Sequence, residues 1–254
     1  MKTSLEAPVK EPLSLEKAVV ARGVSRRFGD VVALDGLDLE VRFGEVVALV
    51  GPSGCGKSTL LELLAGLQQP DAGSIEVPGA CALMPQNDLL LPWRDALSNA
   101  GLALECAGAS KAEARRAAAP LFERFGLKDF EDAYPRQLSG GMRQRVAFLR
   151  TLLAGRPALL LDEPFGALDS ITRATMQDWL AGALASEPRT VVLVTHDVEE
   201  ALFLGDRVAI LSQRPGRVVD ELRVDFPRPR ERKQLVVSPQ FTELKRRALE
   251  VLGC

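Results

Sequence analysis

Across 254 residues the chain carries one histidine, His196, one tyrosine and two tryptophans, and aromatic residues make up only 5%. A lone histidine excludes metal centres built on two or more imidazoles. Apolar runs are short. Val46–Val50 and Ala158–Leu161 are among the longest, far below the roughly 20 residues that a helix needs to cross a bilayer. Neither sign of charge is in excess, with 32 Lys and Arg against 34 Asp and Glu. That balance argues against a broad nucleic-acid-binding surface and predicts no nucleic-acid partner. The four cysteines, Cys55, Cys81, Cys106 and Cys254, are widely scattered, with no pair at metal-ligand spacing and no disulfide framework. Such usage suits a reducing cytoplasm. Residues 1–17 mix charges with Pro8 and Pro12 and hold no apolar stretch. They are expected to form a mobile leader without signal-peptide character. What is present is a globular balance, 46% hydrophobic and 26% charged, with enough length for one large domain carrying an inserted subdomain.

From Ala18 to Val50, short Val- and Leu-rich segments are broken by Gly23, Phe28-Gly29-Asp30, Asp35-Gly36 and Phe43-Gly44. This pattern predicts strands joined by tight turns. Glu45–Val50 reads as a buried strand feeding a glycine-rich loop, and Ser58–Leu67 has helical spacing. Residues 87–154 are rich in Ala, Leu, Arg and Glu, and Ser110 with Glu113 forms a capping-box pattern for a helix reaching about Phe125, stopped by Gly126. This stretch is expected to be a mostly helical insertion. Strand and helix signals then alternate: strand 158–161, helix 171–184, strand 190–195, helix 198–204 and strand 207–211. Met176, Trp179, Leu180, Ala183 and Leu184 follow the helical period and are expected to be core. The alternation predicts an α/β fold with a mainly parallel sheet. Pro215-Gly216 marks a turn, and 225–254 reads as a peripheral extension, its basic run Arg228–Lys233 a solvated tail.

Three segments carry chemistry. Gly51-Pro52-Ser53-Gly54-Cys55-Gly56-Lys57-Ser58, followed by Thr59, matches the phosphate-binding loop pattern G-x-x-x-x-G-K-[ST]. Its glycines let backbone N–H groups wrap an anion, Lys57 reaches terminal phosphates, and the Ser58 hydroxyl suits Mg²⁺. Kinases, GTPases and transport ATPases all share this loop. In the second segment, the strand at 158–161 ends in Asp162-Glu163, at the sheet edge where open α/β folds bind ligands. Acidic pairs also cap helices. Beside a phosphate loop, however, Asp162 suits a Mg²⁺ ligand and Glu163 a general base. Finally, Ser139-Gly140-Gly141 opens a long amphipathic stretch, a second helix N-terminus with exposed backbone donors, about 80 residues past the first.

These motifs together resemble the ATP-binding cassette (ABC) family from about Ala18 to Leu211. The resemblance implies a P-loop NTPase core over 18–224 with a mixed, mainly parallel sheet, an N-terminal antiparallel β subdomain and an inserted helical subdomain. In the family Gly51–Thr59 would be the Walker A loop, Asp162-Glu163 the Walker B pair, and Leu138–Gln144 the signature. Gln86 would be the Q-loop residue and a Mg²⁺ contact, Ala167-Leu168-Asp169 the D-loop, and His196 the switch histidine. Phe28 falls where the family places an aromatic ring on adenine. ATP and Mg²⁺ are the implied cofactors. Two copies would pair head to tail, each nucleotide lying between one chain's Walker A and the other's Ser139–Gly141.

With no membrane span, a transporter of this kind implies a separate permease. Its cassette would sit peripherally on the cytoplasmic face of the membrane. Gln86 to Arg94 would receive the permease, and its Leu-Leu-Pro-Trp-Arg form resembles importers of the nitrate, sulfonate and taurine group and their thiamine-precursor relatives. Import would also involve, indirectly, an extracytoplasmic solute-binding protein. An exposed Trp93 and Arg94 suit a protein interface; the competing reading makes Trp93 a local core plug. Chromosome ATPases of the family insert long coiled coils, translation factors carry two cassettes, and exporters usually fuse membrane helices. None of those features is visible here.

Overall fold

The computed structural model describes residues 17–77, 79–186 and 189–253. Residues 1–16 of the expected leader lie outside them, and Lys17 already opens the first strand. β1 (Lys17–Phe28) and β2 (Val31–Arg42) form an antiparallel hairpin through Gly29-Asp30, and β4 (Ala72–Glu76) adds antiparallel to β1. In β2, Leu37, Leu39 and Val41 are buried while Asp38, Glu40 and Arg42 face outward. This is the alternation of a sheet with one wet face.

The larger sheet has the order β5-β6-β7-β3-β8-β9, comprising β3 (Val46–Val50), β5 (Cys81–Met84), β6 (Ala158–Asp162), β7 (Thr190–Thr195), β8 (Arg207–Leu211) and β9 (Val218–Arg223). All its pairings are parallel except β8 with β9. Every residue of β3, β6 and β7 is buried, so these strands are unbroken Val and Leu runs without alternation. Their side chains still divide by face. Val46, Ala48 and Val50 join the core beneath the helices, whereas Val47 and Leu49 join the core beneath the antiparallel sheet.

Helix α1 (Lys57–Leu64) follows β3 directly. It stops short of the predicted Leu67, because Gly66 at φ +74° terminates it and Leu67 N–H turns back to the Glu62 carbonyl. Leu67 is exposed. Between β5 and β6 lies the helical insertion: α2 (Ala96–Ala100), α3 (Leu102–Cys106), α4 (Lys111–Arg124) and α5 (Gly140–Leu153). Helix α4 begins in the Ser110–Glu113 capping box and is followed by Gly126 at φ +59°, as the sequence predicts. Helix α6 (Ser170–Ser186) buries Met176, Leu180 and Leu184, and Trp179 packs edge-on to Phe125.

After β9 come α8 (Arg232–Leu235) and α9 (Pro239–Leu252), the latter burying Phe241 and Ala248 against α7 (Val198–Leu204) and β8. The expected solvated tail is wrong for Arg228 and Arg230, whose side chains are only 7% and 1% exposed. The Arg230 guanidinium donates to the carbonyls of Phe203 and Gly205 at 2.8 and 2.7 Å, and that of Arg228 to Leu204 at 2.7 Å. The last turn of a helix leaves carbonyls without partners and collects partial negative charge, and here two arginines supply both donors and charge. Burial pushes the Arg230 pKa down to about 10. The Arg232 guanidinium lies 3.9 Å from the Phe203 ring centroid.

Candidate active site

Gly51–Gly56 wraps from the end of β3 to the first turn of α1. Gly56 sits at φ +105°, and a Cβ there would stand 2.7 Å from Leu34 Cδ2 and 2.8 Å from the Ala33 carbonyl oxygen. Only glycine meets both demands. Lys57 Nζ donates to the carbonyls of Gly51 and Pro52 at 2.7 and 2.8 Å. Cys55 contributes backbone to the loop, while its thiol is buried in the core with Leu211. Ser53, Gly54, Gly56, Lys57, Ser58 and Thr59 border a cleft of about 350 Å³ whose other walls include Phe28, Gln86, Glu163 and Arg214. The Phe28 ring is 44% exposed, with the Arg26 guanidinium 4.9 Å from its centroid.

Strands β6 and β7 are neighbours, Asp162 opposite Val194, so their C-terminal ends deliver Asp162-Glu163 and His196 to one edge. Asp162 is buried. Desolvation pushes its carboxyl above the ordinary range, opposed by a hydrogen bond from Ser58, while the charge of Glu163 pushes it further up. Glu163 adopts φ +47°, a left-handed conformation costly for a side chain with a Cβ. Its N–H donates to the Val194 carbonyl at 2.9 Å. Gln86 Nε2 reaches Glu163 Oε2 at 3.3 Å, and His196 Nδ1 stands 3.4 Å from Glu163 Oε1. A carboxylate held between an amide and an imidazole, at the mouth of an anion cleft, can orient water toward a phosphoryl group.

Ser139, Gly140 and Gly141 are not among the residues lining this cleft. Ser139 caps α5 by accepting from Met142 N–H at 3.2 Å, and a Cβ on Gly141 would meet Leu168 Cδ2 at 3.1 Å. Asp169 likewise lies outside the cleft lining. Its carboxylate accepts from the N–H groups of Ile171 and Thr172 and is held below its ordinary range, chiefly by Thr172. One chain thus gathers Phe28, the phosphate loop, Gln86, Asp162, Glu163 and His196. The N-terminus of α5, at Ser139–Gly141, is not part of the cleft lining.

Trp93 is 72% exposed and Leu89 61%, so the core-plug reading of Trp93 does not hold. Arg94 is not available beside them, because it is paired with Glu105 and only 17% exposed. Asn99 shapes this loop from within. Fully buried on α2, it donates to the carbonyls of Leu91, Arg94 and Asp95 and accepts from Leu91 N–H at 2.8 Å. From α5, Arg150 donates to the carbonyls of Asp88 and Leu89, and Arg143 to the Asp88 carboxylate at 2.9 Å. Sequence reasoning missed Asn99, Arg143, Arg150 and Arg214. Each is a polar residue whose partners lie in other elements, and no local pattern marks it.

Comparison with known proteins agrees with this geometry. The ABC transporter family matches over residues 34–166, and the chain belongs to that family. It is an ATPase cassette with the P-loop NTPase fold. It is 47% identical over 216 residues to the aliphatic sulfonates import ATP-binding protein SsuB 1 of Rhodococcus jostii, covering 83% of this chain and 84% of that protein. It is 46% identical over 218 residues to the formylaminopyrimidine import ATP-binding protein ThiZ of Halalkalibacterium halodurans, covering 85% and 86%. A solved ATP-binding cassette, captured as a dimer in a post-hydrolysis state with ADP and Pi, superposes with a TM-score of 0.74 at 30% identity, covering 82% of this chain and all of the other.

Proposed function

We propose that the cassette works as one half of a head-to-tail pair and drives uptake of a small solute through a separate membrane permease. The observation that carries this reading is the split of the site. Gln86 and Glu163 line the phosphate cleft, with His196 beside Glu163, whereas Ser139, Gly140 and Gly141 take no part in its lining. A second copy, inverted, would bring its Ser139 hydroxyl and α5 N-terminus to the open side of the nucleotide, where an anion is favoured. The solved dimer of a relative supports this arrangement.

Within each half-site the roles follow from the contacts. The Phe28 ring offers a stacking face for adenine. The phosphates would lie against the backbone of Ser53–Thr59, with Lys57 as the counter-charge. Asp162 and Ser58, already hydrogen-bonded to each other, and the Gln86 carbonyl oxygen form a hard-oxygen set that fits Mg²⁺. That ion would supply charge neutralisation on the β- and γ-phosphates. Glu163 accepts a proton from the attacking water while Gln86 and His196 fix its direction, and His196 senses the γ-phosphate. Asp169 lies beside the signature helix, where a partner's loop would pass.

In this proposal the exposed Leu89 and Trp93 are the surface for the permease, and the protein would sit peripherally on the cytoplasmic face of the membrane. No helix among the described residues is long and apolar enough to cross a membrane. The likeness to aliphatic sulfonate and formylaminopyrimidine import proteins favours an organic sulfonate or a pyrimidine-type solute, delivered to the permease by an extracytoplasmic binding protein.

The test is complementation. Lys57→Ala lacks a phosphate loop lysine and Ser139→Arg lacks a signature, so each alone should be inactive. A mixture should regain ATP hydrolysis, because one heterodimer site pairs an intact loop with an intact signature. A mixture as inactive as its components would overturn the head-to-tail reading.

A further inference from the structure

A phosphate loop works only if its peptide N–H groups face the anion. Each peptide is a dipole, so the carbonyl at its other end must then face away and find a donor of its own. In this loop two of those carbonyls, of Gly51 and Pro52, are served from within by Lys57, and Pro52 also accepts from Cys55 N–H at 3.3 Å, the other end of the Gly54 peptide. The Gly54 carbonyl is served from 160 residues away, by Arg214 Nε at 3.0 Å. Gly54 is in the left-handed region at φ +73°. With no side chain to bar rotation, its peptide has little intrinsic preference for one orientation.

The segment that carries Arg214 is itself anchored. Ser212 N–H donates to the Arg217 carbonyl at 2.9 Å and its hydroxyl to the Pro215 carbonyl at 2.8 Å. Gly216 N–H donates to the Ala33 carbonyl at 2.9 Å, Asp35 N–H returns to the Gly216 carbonyl at 3.3 Å, and Arg217 pairs with Asp35. Gly216 passes so close to the phosphate loop that a Cβ there would lie 2.1 Å from the Cys55 carbonyl oxygen. The β8–β9 turn is therefore clamped between β2 and the loop. Its arginine borders the same cleft as Lys57, Ser53 and Phe28.

We propose that Arg214 is a positioning residue of the nucleotide site. Its Nε–H holds the Gly54 carbonyl away from the phosphates, so that the first half of the loop is set for the anion before nucleotide arrives. The proposal rests on the reading of the cleft as the ATP site. The hydrogen bond, rather than the charge alone, carries the effect. Arg214 acts through Gly54, and chemistry at Glu163 is unaffected once nucleotide is bound.

The experiment measures Mg-ATP binding and steady-state hydrolysis for wild type, Arg214→Ala, Arg214→Met and Arg217→Ala, at low salt and in 0.5 M KCl (~4 Å screening length). Methionine keeps the stem without a donor and covers the case in which the alanine variant fails to fold. Expected are a roughly tenfold rise in Kd and KM for both Arg214 variants and a kcat within about threefold of wild type. The deficit should persist at high salt. Arg217→Ala, which loosens the same turn, should stay within about twofold of wild type. Unchanged binding in the Arg214 variants would overturn the proposal. So would a deficit that vanishes at high salt, or an equal deficit in Arg217→Ala. A wild-type chain that fails to bind Mg-ATP would instead remove the reading of the cleft on which the proposal stands.

Discussion

His196 Nδ1 stands 3.4 Å from Glu163 Oε1, although the two residues come from different strand ends and differ in exposure, 61% against 22% for their side chains. The adjacency of β6 and β7 creates this approach, since Asp162 and Val194 are register partners. The imidazole is left open to solvent while the carboxylate is largely enclosed. An enclosed carboxylate beside an exposed ring is a suitable pair for a water that must enter with the nucleotide and leave as phosphate.

Glu163→Gln keeps the size and the Gln86 neighbour but removes the proton acceptor. Mg-ATP binding should survive, hydrolysis should fall by about 100-fold or more, and ATP should accumulate the paired form. Size-exclusion chromatography with and without ATP, alongside a phosphate-release assay, checks both halves. Turnover close to wild type would remove Glu163 from the role of general base.

Glu200 gives a pH dependence with a definite sign. It is 4% exposed, accepts from Gln177 Nε2 at 2.7 Å, and its Oε1 has no hydrogen-bond partner among the described residues. Burial raises its pKa from 4.5 to about 7. A raised acid binds its proton more tightly in the folded chain, so its ionisation costs stability as pH climbs from 4.5 and levels off above about 7. Glu200→Gln should be close to wild type in thermal stability near pH 5 and more stable near pH 8, by up to ~3 kcal/mol. Melting curves across that range test it; a pH-independent difference would reject it.

Trp93→Ala should leave the ATPase activity of the isolated chain unchanged, because Trp93 is solvent-exposed and takes no part in the cleft lining. In membranes holding the permease, the loss of a central aromatic contact should cost about 2 kcal/mol of association. Co-purification with the permease is the measurement, and undiminished recovery would move the docking surface elsewhere.

Asn99→Ala addresses the same surface from beneath. It leaves the carbonyls of Leu91, Arg94 and Asp95 and the Leu91 N–H without their buried partner, so the urea midpoint should fall by the equivalent of about 2–3 kcal/mol. Permease binding should weaken too, although Asn99 is fully buried and cannot touch a partner.

Local patterns made most of this molecule legible. The phosphate loop, the Ser110–Glu113 box and the alternation of buried strands with amphipathic helices are each written within a dozen residues. Glu163 and His196 could be placed at one edge because both follow apolar strands. What escaped was long-range. The Arg228–Lys233 run looks like any solvated basic stretch until the carbonyls of 202–205 come to meet Arg228 and Arg230. Arg94 looks free until Glu105 is folded back beside it. The direction of the Cys55 thiol, inward to the core, depends on a loop path that the glycine spacing allows but does not specify.

The arginines that close the end of α7 also bear on where this molecule can be cut. Asp206, which pairs with Arg228, accepts from Val46 N–H through its other oxygen at 3.0 Å. The chain beyond 224 is thereby tied to the first residue of the strand that leads into the phosphate loop. A boundary at 224 is natural in sequence, but a protein truncated there would expose the helix end, strand the Asp206 charge and uncover Leu202 and Phe203. Residues 225–253 pack onto α7, β8 and β9, and a minimal cassette made without them is expected to melt at a lower temperature.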